Sequence, residues 1–216
     1  QLMGLTVHTA VCIVPMYNVS GAKRRGSFSR ANQDGPAAYG FRGNARNLDL
    51  NRDFIKCDAA ETLGLCDLFT RMNPDILLDN HVSNGADYQH TMTLLATQHD
   101  KLGGETGNYM YKTFTPAIYG EMKKMGYDLV PYVNDFNNSA EKGWHEFHES
   151  PRFLSGYAAL FQTIAYVPEA HMLKPFDERV KATYDLMKCI IKLGSDNIAT
   201  IKKVRATDRK NLMSQK

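Results

Sequence analysis

The sequence predicts an α/β fold, a mixed and mostly parallel sheet sandwiched by helices. Two observations carry this. Short β-branched and apolar runs alternate with longer stretches of helical apolar spacing. The polar clusters of the chain, Asn18, Arg42 to Arg52, Asp79-Asn80-His81 and Glu169-Ala170-His171, fall in one long loop or at the ends of those runs, where open α/β sheets gather their ligand sites. At 216 residues, 43% hydrophobic and 23% charged, the chain fits one domain spanning 1–216 with a core of its own.

Taken in order, Val7 to Tyr17 (VHTAVCIVPMY) is a β-rich apolar run that stops at Pro15 and Asn18, and it reads as a strand buried on both faces. From Asn18 to Asn47, Gly, Ser, Asn and Arg dominate without an apolar period; a loop of this length is expected to have a function. Asp58 is placed to cap a helix whose apolar positions Leu63, Leu65, Cys66, Leu68 and Phe69 run to Met72, closed by Asn73-Pro74. Asp75 to Leu78 reads as a short buried strand, Tyr88 to Ala96 as another, Pro116 to Met125 as a helix ending at Gly126, and Tyr127 to Tyr132 as a strand. Val133 to Ser150 is polar and irregular, and Pro151 to Phe161 fits either element type. Thr163 to Val167 predicts a strand with Glu169 just past its end. Phe176 to Lys202 predicts one amphipathic helix with Val180, Tyr184, Leu186, Met187, Ile190 and Ile191 on its apolar side.

Composition excludes several classes. No apolar run approaches the ~20 residues that span a bilayer. With 26 Lys plus Arg against 23 Asp plus Glu, the net charge of +3 leaves no basic footprint for nucleic acid. Cys12, Cys57, Cys66 and Cys189 lack C-x-x-C spacing, which argues against a cysteine zinc site or a dense disulfide scaffold. Gln1-Leu2-Met3-Gly4 has neither an initiator methionine nor the charged-then-apolar pattern of a signal peptide, and the expectation is a chain without its amino-terminal part.

Three segments carry chemistry. Phe41 to Phe54 (FRGNARNLDLNRDF) sets Arg42, Arg46 and Arg52 beside Asn51; a guanidinium and an amide together can grip a carboxylate at two points. Charge alone equally allows these arginines to be solvated or paired with Asp34, Asp49 and Asp53. His81 ends the Leu77-Leu78-Asp79-Asn80 run, where an imidazole nitrogen could serve a metal or a plain hydrogen bond. Glu169 ends Ala165-Tyr166-Val167-Pro168, where partial burial would raise a carboxyl group toward the range useful in proton transfer; a capping or salt-bridged glutamate is the plainer alternative.

The Arg42 to Arg52 segment resembles the substrate-binding signature of the carboxypeptidase A-like zinc metallocarboxypeptidases: Arg, several residues, then Asp, one residue, Asn-Arg. The resemblance implies that Asn51 and Arg52 hold a substrate's terminal carboxylate, that Arg42 polarises the scissile carbonyl, and that Asp49 orients a zinc-binding histidine. It implies His81 as a zinc ligand and Glu169 as the general base, with His171 a supporting neighbour. Tyr157, in Ser155-Gly156-Tyr157-Ala158, matches the substrate-side tyrosine that the family carries on a mobile loop. The chain departs from the pattern at Asn47, where the family usually has Gly, and at Asp53, where Asn is common; the second change makes the neighbourhood less positive.

The family takes two further zinc ligands from His-x-x-Glu. None of the seven histidines here has a glutamate three residues later, and His145-Glu146-Phe147-His148-Glu149 lies on the wrong side of His81 to replace it. The resemblance therefore implies a zinc-carboxypeptidase-like domain lacking its amino-terminal part, with one Zn2+ in the intact domain and an inactive isolated chain. It further implies a peptide or cell-wall peptide substrate with a free C-terminal carboxylate, and a secreted or periplasmic location. The alternative is a noncatalytic carboxylate-binding module that has lost zinc.

Overall fold

The computed structural model describes residues 8–29, 34–132 and 139–214. A short helix α1 (Val19–Lys23) opens the polar loop, and α2 (Ala60–Met72) follows it. Next come β1 (Ile76–Leu78), β2 (His81–Val82) and β3 (Met92–Ala96). Two short helices, α3 (His99–Leu102) and α4 (Gly104–Tyr109), run through a π-helical turn at Met110–Phe114 into α5 (Thr115–Lys124). Then β4 (Val130–Pro131), α6 (Leu154–Ala159), β5 (Ile164–Ala170), α7 (Phe176–Asp196) and α8 (Ile198–Ser214) complete the order.

The predicted class holds: a mixed α/β arrangement whose sheet is mostly parallel. The strand order is β1-β5-β3-β4, with β2 continuing along the same side of β5 as β1. The β1–β5, β2–β5 and β3–β4 pairings are parallel and β3–β5 is antiparallel. β5 is central and buried along nearly its whole length, as its apolar run from Ile164 to Pro168 requires. Met92 and Leu94 of β3, Ile164 and Tyr166 of β5, Phe114, Ile118 and Met122, and Leu186, Ile190 and Ile201 of α7 and α8 form the main core. Each such side chain contributes about 1.5–3 kcal/mol by leaving water. Tyr166 is fully buried, and its hydroxyl is satisfied by Thr115 Oγ1 at 2.8 Å.

Four expectations are corrected. The Val7 to Tyr17 run is not a strand over its described residues, which begin at His8. Val11, Ile13, Val14 and Met16 are exposed, because a doubly buried strand needs hydrogen-bonded neighbours and no described strand pairs with this run. It is anchored at its end, where the Tyr17 hydroxyl donates to Thr62 Oγ1 at 2.9 Å and the ring stacks on Phe54. Asp58 does not cap α2: its carboxylate meets Lys56 Nζ at 2.9 Å, and Asp53 reaches forward to take the backbone N–H groups of Asp58 and Ala59 at 3.0 and 2.9 Å. The last helix breaks at Asn197, whose side-chain amide donates to Leu193 O at 2.9 Å and competes with the helical ladder. Glu169 lies within β5 and not beyond it.

Candidate active site

β1 and β2 lie end to end along β5, interrupted at Asp79-Asn80, so the sheet itself delivers the first part of the site. Asp79 N–H donates to Tyr166 O at 3.0 Å, and His81 stands in register with Glu169 on the neighbouring strand. His81 Nδ1 is 3.8 Å from Glu169 Oε1, and its Nε2 is 3.0 Å from Asp79 Oδ2. Burial works against protonating this imidazole, but the hydrogen bond and charge of Asp79, helped by Glu169, outweigh it and raise the His81 pKa above the ordinary histidine value.

The second part comes from the loop, which is irregular but heavily tied. Asn18 accepts from Gly21 N–H and donates to Arg42 O, both at 2.9 Å, and so fixes the start of the arginine segment. Buried Asn44 accepts from Arg46 N–H and Leu48 N–H and donates to Glu61. The turn it closes places Asn47 at φ +59°, a left-handed conformation that Asn tolerates well and that explains a glycine-like position there. Asp49 then caps a 3-10 turn, Leu50–Arg52, by accepting from Asn51 N–H at 3.0 Å, while its other oxygen takes Arg42 Nε and Nη2 at 3.0 and 2.9 Å. Among the described residues its partners are thus Arg42 and the Asn51 backbone.

Asn51, Arg52, His81 and Glu169 line one open pocket, together with Asp79, Leu95, Tyr132, Phe147, Glu149, Phe153, Ser155 and Val167. Arg42 is near enough to act electrostatically on both His81 and Arg52. Arg52 lies over the Phe153 ring at 4.5 Å and makes one hydrogen bond within the described residues, Nη1 to Asn51 O at 2.7 Å. Burial lowers its pKa; Asp49 works the other way, and the like charges of Arg42 and Arg152 lower it further. A guanidinium with unused donors, partly desolvated and crowded by two others, favours an anion beside it. Asp53 does not soften this field as expected. It is buried, and although burial alone would raise its pKa, hydrogen bonds from Thr62 and from the Ala59 and Asp58 backbones hold it below the usual range, facing the start of α2.

Tyr157 is not brought to the pocket. It lies on α6 in an aromatic cluster with Phe54, Phe69 and Phe161, at centroid distances of 5.7, 5.7 and 5.1 Å. Glycine 156 beside it serves close packing: a side chain there would collide with Ser150 O, so the segment is wedged in place. Tyr132 lines the pocket instead, its hydroxyl pKa pushed up by burial and by the Glu169 charge. His171 is buried away from the pocket, accepting from Leu173 N–H at 3.1 Å with Asp87 3.3 Å from its other nitrogen.

Sequence reasoning missed one residue that acts on the site and weighed another only as part of a His/Glu cluster. Arg152 acts on Arg52 and lies 5.0 Å from the Phe153 ring centre, but no periodic signal marks it. Glu149 is 1% exposed; Oε1 accepts from Gln98 N–H at 3.2 Å, Oε2 has no hydrogen bond among the described residues, and Lys101 Nζ is 3.8 Å away. Burial raises its pKa. His145, Glu146 and His148 of the same stretch are exposed.

A catalytic zinc takes three protein ligands. Among the described residues no group of three or more His, Cys, Asp or Glu side chains is arranged to hold a metal ion. His81 with Glu169 and Asp79 does not amount to such a set, so these residues alone do not fit a zinc centre.

No protein-family model matches the sequence, and no curated protein does. Among solved structures, the metallo-carboxypeptidase from Burkholderia cenocepacia superposes with a TM-score of 0.51 at 15% identity, covering 74% of this chain and 42% of that one. The fold is carboxypeptidase-like. A metallo-carboxypeptidase from Pseudomonas aeruginosa in complex with (2-guanidinoethylmercapto)succinic acid gives 0.49 at 12% identity, over 75% of this chain and 42% of that one. The carboxypeptidase-like chain thus spans about two fifths of the length of these structures. Among the described residues, no helix is long and apolar enough to cross a membrane.

Proposed function

We propose that the pocket recognises the free C-terminal carboxylate of a peptide or cell-wall peptide, and that the chain is the substrate-binding and proton-handling part of a zinc-carboxypeptidase-like hydrolase acting outside the cytoplasm. The observation that carries this reading is Arg52: a guanidinium with unused donors, beside Asn51, in the same pocket as His81 and Glu169. Arg52 and Asn51 hold the carboxylate at two points, Arg42 supplies positive charge toward the peptide carbonyl, and Glu169 is the proton acceptor. Tyr132 replaces Tyr157 as the substrate-side hydroxyl. Among the described residues, His81 is the one imidazole lining the pocket and so its candidate metal donor, and a zinc site would need two more donors from outside these residues. No hydrolytic step is assigned to this chain by itself.

The test is binding of an N-acylated amino acid and of its C-terminal amide, followed by NMR or calorimetry. The acid is expected to bind and the amide to lose tens-fold in affinity, in line with the ~1.5–3 kcal/mol of a hydrogen bond to a charged group. Arg52→Met should reproduce that loss without unfolding the chain. Equal binding of acid and amide would remove the reading. The lack of a three-donor cluster among the described residues favours one second reading, a carboxylate-binding module without metal. Zinc bound in stoichiometric amount by the longer protein would exclude it.

A further inference from the structure

Outside the pocket, Cys57 and Cys66 bring their sulfurs to 3.8 Å. The approach is imposed by the backbone. Cys57 sits at φ +55° in the loop behind the Asn51–Arg52 turn, with its N–H donating to Asp53 O at 2.7 Å, and Asp53 in turn binds the start of α2, on which Cys66 lies. Both thiols are half-buried, whereas Cys12 is exposed on the apolar run and Cys189 is buried. A disulfide bond of about 2.05 Å requires the sulfurs to close by about 1.8 Å.

We propose that Cys57 and Cys66 are an intramolecular dithiol that oxidises to a disulfide, fastening the loop that follows the carboxylate-binding turn to α2. Burial pushes the Cys66 thiol up to about 11, which keeps it protonated and casts it as the resolving partner. With a hydroperoxide as oxidant, the Cys57 thiolate attacks the peroxide oxygen. The O–O bond breaks, Cys57 becomes a sulfenic acid, and the departing oxygen leaves as an alcohol or water after taking a proton. The Cys66 sulfur then attacks the sulfenic sulfur; the S–O bond breaks, and water departs with the Cys66 proton. Two electrons pass from the dithiol to the peroxide.

The sequence makes the test clean. Cleavage after Lys56 and Arg71 gives one tryptic peptide, 57–71, that contains both cysteines and no other. The chain is treated with hydrogen peroxide, alkylated with iodoacetamide and mapped by mass spectrometry. The expected result is a 57–71 peptide lighter by two hydrogens and unalkylated, which takes up two labels after reduction. Cleavage before Asp53, Asp58 and Asp67 should yield residues 53–57 and 58–66 joined. In Cys57→Ser, Cys66 should remain alkylatable at least tenfold longer in peroxide. Full alkylation of both cysteines while exposed Cys12 is oxidised would overturn the proposal, as would linkage of either one only to Cys12 or to another chain.

Discussion

Two arginine–aspartate pairs, one beside the start of β1 and one in the arginine loop, differ in what surrounds them. Arg205 on α8 is buried and spends its donors on the protein: Nη1 on Asp75, Nε on Gln162 O at 2.7 Å, and Nη2 on Thr163 Oγ1 at 3.3 Å and Phe161 O and Asn73 Oδ1 at 3.4 Å. Arg42 meets Asp49 at 2.9 Å with both side chains a third or more exposed, and neighbouring Arg52 makes one hydrogen bond within the described residues. A saturated guanidinium fastens a helix to the base of the sheet. An unsaturated one near a pocket is set to receive something else. The chemistry of the residues is the same; the difference is how many acceptors the fold has already supplied.

The sharpest way to break this contrast is Arg205→Met, which would strand Asp75 and several carbonyls. About 3–5 kcal/mol of stability should be lost, read by chemical denaturation, while the matching Arg52→Met stays within about 1 kcal/mol of the parent. Comparable losses for the two would erase the distinction between anchor and receptor. Next in size, Arg52→Lys keeps the charge but gives up the planar fork, and binding of an N-acylated amino acid should weaken by about tenfold in calorimetry. A smaller effect concerns His81. Its folded pKa lies above the unfolded value, so its contribution to stability is full below about pH 6.5 and fades as pH rises through the folded value. Asp79→Asn should lower the His81 midpoint in an NMR titration and flatten the pH dependence of stability above about pH 6. An unmoved midpoint would assign the shift elsewhere. The smallest expected change is Tyr132→Phe, which should weaken ligand binding by about 1 kcal/mol or less and leave folding intact.

The same contrast explains how much was legible in the sequence. β1, β3, α2, α5, β5 and α7 were readable because their apolar spacing and their stops, such as Asn73 in a left-handed C-cap at φ +44°, are local. α4 was not. Its N-terminal N–H groups at Glu105 and Thr106 are taken by Asp208 of α8 at 3.0 and 2.7 Å, a cap from a hundred residues away. The apolar Val7 to Tyr17 run misled because periodicity reports what a segment can bury, not whether a neighbour is there to bury it. In the site, Asn51, Arg52, His81 and Glu169 were found by motif, and the structure brings them together. Tyr157 was misplaced because a Gly-Tyr pair looks the same on a loop and in a wedged helix; Arg152 carries no periodic signal, and Glu149 was visible only as part of a His/Glu cluster read for metal, not as a buried carboxylate lining the pocket.

The register of His81 against Glu169 has a consequence for how the pocket comes apart. Neighbouring strands keep a spacing of about 4.8 Å that the backbone ladder maintains, so the two side chains separate only when that ladder opens. Amide hydrogens of β5 should exchange with solvent only through global opening, whereas those of the Arg42 to Arg52 loop should exchange through smaller, more frequent excursions. The pocket would therefore lose its grip on a ligand well before it loses its floor.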